Sequence, residues 1–356
     1  MSDSDGIIGI IGGMGNEAMV DLAEKIAQVP EHKNRNYVFF GNSRLAYKPH
    51  ELELRGAALK PADRRKADTA RHTADIMHSL GCGVTGLACN SAHELFREVM
   101  RNNPVRFVDM VKETAHSMLD EQGKVLVMGV TSLVESGLYQ NALHEYGVQS
   151  ASPSRDNQAK VMAAIYDTEF GIKTGQITEN AEELLCSVLR EESERQGCSH
   201  VILGCTEIPL AFSPQNCARF KREGLVPGTV QIVDASNVLA GALVSAPCPP
   251  SAPGFPNLPQ PGPDTDWFPP AAFKADSLGQ VVSIQRMIFR QTDSFLGRQG
   301  SSVTGSYMHL PTLFLVGEMP HAEKWLARQD IPALSPNKAF DDTVESMLEA
   351  HFAAMA

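Results

Sequence analysis

Ile7-Ile8-Gly9-Ile10-Ile11-Gly12-Gly13-Met14-Gly15 is a short β-branched run that ends in a cluster of glycines. It reads as a buried strand, a tight turn and a helix from about Glu17. The same strand-then-helix alternation continues outward from it. Tyr37 to Phe40 reads as a strand closed by Gly41-Asn42-Ser43. Asp63 to Leu80 reads as a helix with Ala67, Ala70, Ala74, Met77 and Leu80 on one side. Gly83 to Cys89 reads as a further strand, after which Asn90 and Ser91 start a helix to about Met100. Alternation of this kind predicts an α/β fold with a parallel sheet.

The order then repeats. Val125 to Met128 is a strand-like run ending at Gly129, Ser136 to Tyr146 and Ala181 to Arg195 read as helices, and Val201 to Cys205 reads as a strand. Gly12 and Cys89 are 77 positions apart, and Gly129 and Cys205 are 76 apart. The landmarks predict two pseudo-symmetric, doubly wound lobes with mostly parallel sheets. The first would span 1–118, completed near 226–245, and the second 119–225. From 247 to 270, 10 of 24 residues are proline, which reads as a polyproline-like linker. In the C-terminal extension, 271–356, Leu278 to Phe289 and Phe340 to Met355 read as helices and Thr312 to Val316 as a strand.

The 356 residues suffice for two compact units, and 43% hydrophobic content supplies a core. A formal charge of −11 opposes nucleic-acid binding. The N-terminus lacks a signal-peptide pattern, and no apolar run approaches the roughly 18 residues of a membrane span. The 7 cysteines are widely spaced, with no CxxC pair to suggest a zinc ribbon or a redox motif. A cytoplasmic protein with reduced thiols is the expectation. Gly12-Gly13-Met14-Gly15 lacks the spacing of a dinucleotide fingerprint.

Chemistry concentrates in Leu87-Ala88-Cys89-Asn90-Ser91-Ala92-His93 and Leu203-Gly204-Cys205-Thr206-Glu207-Ile208-Pro209-Leu210. Each apolar strand ends at a cysteine followed by a small polar residue, where ligands bind in open α/β sheets. Helix-opening N–H groups there are expected to lower the thiol pKa. Asn90, Ser91 and Thr206 can donate hydrogen bonds to a carboxylate. Two thiols from two lobes suit inversion at a carbon, since one removes a proton from one face while the other delivers a proton to the opposite face. The other five cysteines read as inert core residues. Arg44, Lys48 and Lys173 are candidates for a distal substrate carboxylate, with solvated surface charge as the alternative. His93 either tunes the Cys89 thiolate or packs its helix. Glu207 either compensates a substrate ammonium or serves as a helix N-terminal acid.

The blocks GGMG (12–15), ACNSAH (88–93) and GCTEIPL (204–210), with the lysine-bearing segment Ile165 to Lys173, resemble those of the aspartate/glutamate racemase family. The likeness spans about residues 7 to 245. It implies a two-lobed racemase of a small acidic amino acid, free of pyridoxal phosphate and metal, and usually a homodimer. It further implies Cys89 and Cys205 as the catalytic pair. Gly13, Met14, Asn42, Arg44, Lys48, Asn90, Ser91, Lys173, Thr206 and Glu207 would surround the substrate. Glu207 resembles the aspartate-racemase branch. The sequence departs from the family in two runs. Asn42 to Lys48 lacks the family's prolines and acidic residue, and Gly129-Val130-Thr131-Ser132-Leu133 carries Val130 and Leu133 where threonines are common. A hydantoin-type or broad-specificity racemase, and a racemase-like scaffold without activity, are the other readings.

Overall fold

A computed structural model describes residues 6–46, 61–249, 262, 270–298, 311–331 and 333–334. The opening run forms β1 (Ile7–Gly12), parallel to β2 (Asn36–Gly41) and β3 (Cys82–Leu87), with β4 (Arg106–Val108) beyond β3. Alternation along β1 sorts its side chains. Ile8 and Ile10 join the core under helix α1 (Asn16–Gln28), while Ile7 and Ile11 join the core on the opposite face, under α2 (Pro61–Ser79) and α3 (His93–Met100). A strand covered on both faces reads as an unbroken apolar run, as this one does. Helix α4 (Met110–His116) follows β4.

The second sheet orders β6 (Ser150–Ala151), β5 (Lys124–Met128), β7 (Cys198–Leu203) and β8 (Gln231–Asp234), all parallel. Its order matches β2-β1-β3-β4, and the likeness reaches individual bonds. In one sheet the register slips between Ile7↔Cys82 and Ile8↔Val84; in the other it slips between Lys124↔Cys198 and Val125↔His200. Ala88 N–H donates to the Ile11 carbonyl at 2.8 Å, and Gly204 N–H donates to the Met128 carbonyl at 2.6 Å. Both thiol turns therefore leave equivalent strands in equivalent ways. Asp109 caps α4 by accepting from Val111 and Lys112, and Asp234 caps α11 (Ala235–Ser245) by accepting from Ser236 and Asn237. Helix α11 leaves the second sheet and packs on α1, α4, β3 and β4, so the two lobes share one continuous core.

The helices after β5 go beyond the sequence reading. The helix expected over Ser136 to Tyr146 is α6 (Leu138–Glu145), and a short helix the sequence does not announce, α5 (Thr131–Ser136), precedes it. Gly137 separates them in a left-handed conformation, φ +67°, which caps α5. Helix α7 (Arg155–Tyr166), with weak amphipathic patterning, was not read from the sequence. Helices α8 (Glu179–Gln196), α9 (Ile208–Ala211) and α10 (Pro214–Arg222) complete this part.

The extension continues the first sheet. β9 (Ala271–Ala275), α12 (Leu278–Arg298), β10 (Thr312–Val316), α13 (Pro320–Arg328) and β11 (Ala333–Leu334) give the order β11-β9-β10-β2-β1-β3-β4. β10 runs antiparallel to β2, from Thr312↔Gly41 to Val316↔Tyr37, so β2 is an inner strand. Phe273 and Phe314 stack at 5.5 Å, and Arg286 of α12 pairs with Glu24 of α1 at 2.5 Å. The helix expected over Phe340 to Met355 and most of the proline-rich stretch lie outside the described residues. No helix among the described residues is long and apolar enough to cross a membrane.

Candidate active site

The turns after β3 and β7 meet at one cleft. From the first lobe it is lined by Met14, Gly15, Cys89, Asn90, Ser91 and Ala92. From the second it is lined by Val130, Tyr166, Lys173, Gly204, Cys205, Thr206 and Glu207. The cleft has a cavity volume of about 50 Å³. The glycines at 13 and 15 have separate reasons. Gly13 has φ +98°, and a Cβ there would lie 2.3 Å from the Asn42 nitrogen. A Cβ at Gly15 would lie 2.5 Å from Glu207 Oε1, because the first lobe's turn lies directly over the second lobe's carboxylate.

Cys205 is buried and its thiol donates to Glu207 Oε2 at 2.9 Å. Lys173 Nζ donates to the other carboxylate oxygen at 2.5 Å and lies 5.6 Å from the centre of the Tyr166 ring. Burial works against Glu207 ionisation. The Lys173 charge and the hydrogen bonds from Cys205 and Lys173 outweigh it and hold the carboxyl below its usual range. Burial, and then the Glu207 charge, pushes the Cys205 thiol well up. Burial also pushes Cys89 up, relieved in part by the Ser91 hydroxyl 3.7 Å from its sulfur. The expectation of lowered thiol pKa values is therefore corrected, since desolvation exceeds what the turn N–H groups supply.

Around Cys89 the backbone is fixed by His93. Its buried ring donates from Nδ1 to the Cys89 carbonyl at 2.7 Å and accepts at Nε2 from Met110 N–H at 3.1 Å. Both nitrogens are engaged in the neutral form, and burial lowers the imidazole pKa. His93 thus packs and anchors the turn, the second of its two readings. Asn90 accepts at Oδ1 from the Tyr139 hydroxyl at 2.5 Å, while its Nδ2 is buried with no protein partner. Tyr139 and Tyr166 were not singled out in the sequence. Tyr166 sits within the lysine-bearing segment, whereas nothing local marks Tyr139.

The remaining expected residues stand apart from the cleft lining. Gly13 shapes the turn behind Met14. Asn42 is buried, donating to Thr73 Oγ1 at 3.0 Å and accepting from Arg44 N–H at 3.2 Å, so its side chain supports the loop after β2. Arg44 lies in the following turn, Ser43–Leu45, and Lys48 lies outside the described residues. Of the family departures, Val130 lines the cleft, while Leu133 is buried in the core. Among the described residues no cluster of His, Cys, Asp or Glu side chains is arranged to hold a metal ion.

Fold and site together define a two-lobed α/β enzyme with one thiol from each lobe at a shared cleft. Residues 8–241 match the family described as Asp/Glu/Hydantoin racemase. A solved aspartate racemase of Picrophilus torridus is 25% identical, with a TM-score of 0.52 over 67% of this chain and 93% of that one. An aspartate racemase homologue of Pyrococcus horikoshii OT3 shares the fold at 21% identity, with a TM-score of 0.50 over 67% of this chain and 96% of that one. The chain belongs to the Asp/Glu/hydantoin racemase family and is an amino-acid racemase. The strands and helices of the extension lie beyond the matched region.

Proposed function

We propose that the chain racemises aspartate by a two-base mechanism with Cys89 and Cys205 as alternating thiolate base and thiol acid. The observation that carries the reading is that these two cysteines leave equivalent strands of matched sheets and line one cleft. Cys89, beside the Ser91 hydroxyl, reacts as the thiolate; Cys205, held against Glu207, stays the thiol. The raised thiol pKa values have a use here. A desolvated thiolate is a stronger base toward a weakly acidic Cα–H, at the expense of its resting population. Cys89 takes the proton from one face, negative charge spreads onto the α-carboxylate, and Cys205 delivers its proton to the other face. Hydrogen bonds to the carboxylate that strengthen as charge develops stabilise that state.

Asn90, Ser91 and Thr206 hold the α-carboxylate and ammonium, with Met14 and the Gly13 turn closing one side. Lys173 attracts the side-chain carboxylate, and Glu207 tunes Cys205. This proton relay needs no cofactor. Aspartate is favoured by Glu207 in the GCTE run and by the 25% identical aspartate racemase. The reading includes a homodimer, for which light scattering is expected to return twice the 38.6 kDa mass of the chain. The test is incubation of the protein with L-aspartate, L-glutamate and a panel of neutral amino acids in deuterated water. Cα exchange and inversion fastest with aspartate, lost in Cys89→Ser and Cys205→Ser, support it. Inversion at the wild-type rate in either variant removes that residue from its role.

A further inference from the structure

Asn90 presents an imbalance that the two-thiol chemistry does not by itself explain. Its amide is 2% exposed, yet Nδ2 has no protein partner while Oδ1 is taken by Tyr139. Buried amide donors are paired in the great majority of cases, so an unpaired one lining a cleft is a donor held for a ligand. The hydroxyl that occupies Oδ1 comes from the other half of the molecule. Tyr139 belongs to α6 after the second sheet's β5, is fully buried, and reaches the residue that follows Cys89. Its ring also lies against the residue that precedes Cys205, since a Cβ at Gly204 would be 3.3 Å from Tyr139 Cε2.

We infer that Tyr139 is the positioning residue for recognition of the substrate's α-carboxylate, fixing the Asn90 amide with its N–H donors toward the cleft. A planar amide has two ends of opposite character. With Oδ1 tied to the hydroxyl, Nδ2 is the amide end left unpaired beside the cleft, and an N–H donor attracts an anionic oxygen and opposes an ammonium. Rotated by a half-turn, the same side chain would set a carbonyl oxygen against the carboxylate. Tyr139 thus chooses which end the substrate meets. Through its contact with Gly204, it also links that choice to the approach of the two thiol turns. The inference rests on the two-thiol reading of the cleft.

The test is steady-state racemisation of the amino acid that the wild type turns over, by Tyr139→Phe, Asn90→Ser and the double variant. Tyr139→Phe keeps the ring and removes only the hydroxyl. It is expected to raise KM about tenfold and to lower kcat as well, since the bonds that hold the α-carboxylate strengthen as charge develops on it. Asn90→Ser, which removes the amide but keeps Tyr139, is expected to raise KM similarly. The double variant is expected to add nothing further, because Tyr139 acts only through Asn90. A hydroxyl with a purely structural role would shift the melting temperature and leave KM alone. Unchanged KM in soluble Tyr139→Phe, or KM effects that multiply in the double variant, overturns the inference. Should Tyr139→Phe be insoluble, Asn90→Ser decides, since an unchanged KM there leaves no amide to position. A wild type that exchanges no Cα proton is a separate result: it removes the two-thiol reading, and this inference with it.

Discussion

Replacing Glu207 by glutamine removes a negative charge 2.9 Å from the Cys205 sulfur while keeping the side chain's shape. Two unit charges at this range interact by roughly 6 kcal/mol at an effective dielectric of about 20. Lys173, 2.5 Å from the other carboxylate oxygen, remains in the variant, so its pull toward the thiolate is no longer opposed. The Cys205 thiol is therefore expected to ionise at a clearly lower pH in Glu207→Gln than in the wild type. The sign is downward, because Glu207 disfavours the thiolate both by its charge and by accepting the thiol proton. Lys173→Met is expected to move Cys205 the opposite way, since its cation favours the thiolate. The assay is pulse alkylation across pH with peptide mass spectrometry, which reads Cys205 apart from the other cysteines. A Glu207→Gln midpoint that stays in place or rises would refute the reasoning, as would a Lys173→Met shift of the same sign.

His93→Ala leaves the Cys89 carbonyl and the Met110 N–H without their partner. It is expected to cost about 2–5 kcal/mol in urea unfolding and to lower kcat at least tenfold by releasing the Cys89 turn; wild-type stability would contradict this. Asp21, bonded to Lys25, has its pKa raised by burial from 3.8 to about 6. Its contribution to stability is full below its unfolded pKa and is lost as pH rises through about 6. Asp21→Asn should therefore gain on the order of 2–3 kcal/mol relative to wild type between pH 4 and pH 7; a pH-independent difference in urea melts contradicts this. Ending the chain at Ala246 strips β10 from β2 and bares an apolar edge, so self-association on light scattering is expected. A monodisperse product with the full-length melting temperature would show that the extension does not support the sheet.

Local patterning made much of the fold legible. Runs such as Ile7–Ile11 and Val125–Met128 announce strands because both faces are covered, and the matched spacing of Gly12–Cys89 and Gly129–Cys205 reflects sheets with the same order and the same bulge. Thr312–Val316 was legible as a strand, but its place beside β2 was not, because Thr312↔Gly41 is a pairing of distant residues that no local pattern encodes. β4 and β8 are short and carry polar residues, so they fall below a periodicity signal. At the site, the positions of Cys89 and Cys205 were readable because strand carboxyl ends are determined by the chain itself. The direction of their pKa shifts was not, since it depends on burial and on the Glu207 side chain turning back onto Cys205. Asn42, expected at the site, turns toward Thr73 instead, whereas Tyr139, which nothing local marks, reaches Asn90 from the other lobe.

The most direct test of two thiols acting on opposite faces of one carbon is the isotopic content of both enantiomers during the first turnovers of L-aspartate in deuterated water. The account predicts D-aspartate deuterated at Cα from the earliest time points, with the recovered L-aspartate still protiated, because the proton leaves to one sulfur and the solvent-derived deuteron arrives from the other. Early D-aspartate carrying protium, or deuterium entering both enantiomers equally from the start, would mean that a single base serves both faces and would contradict it.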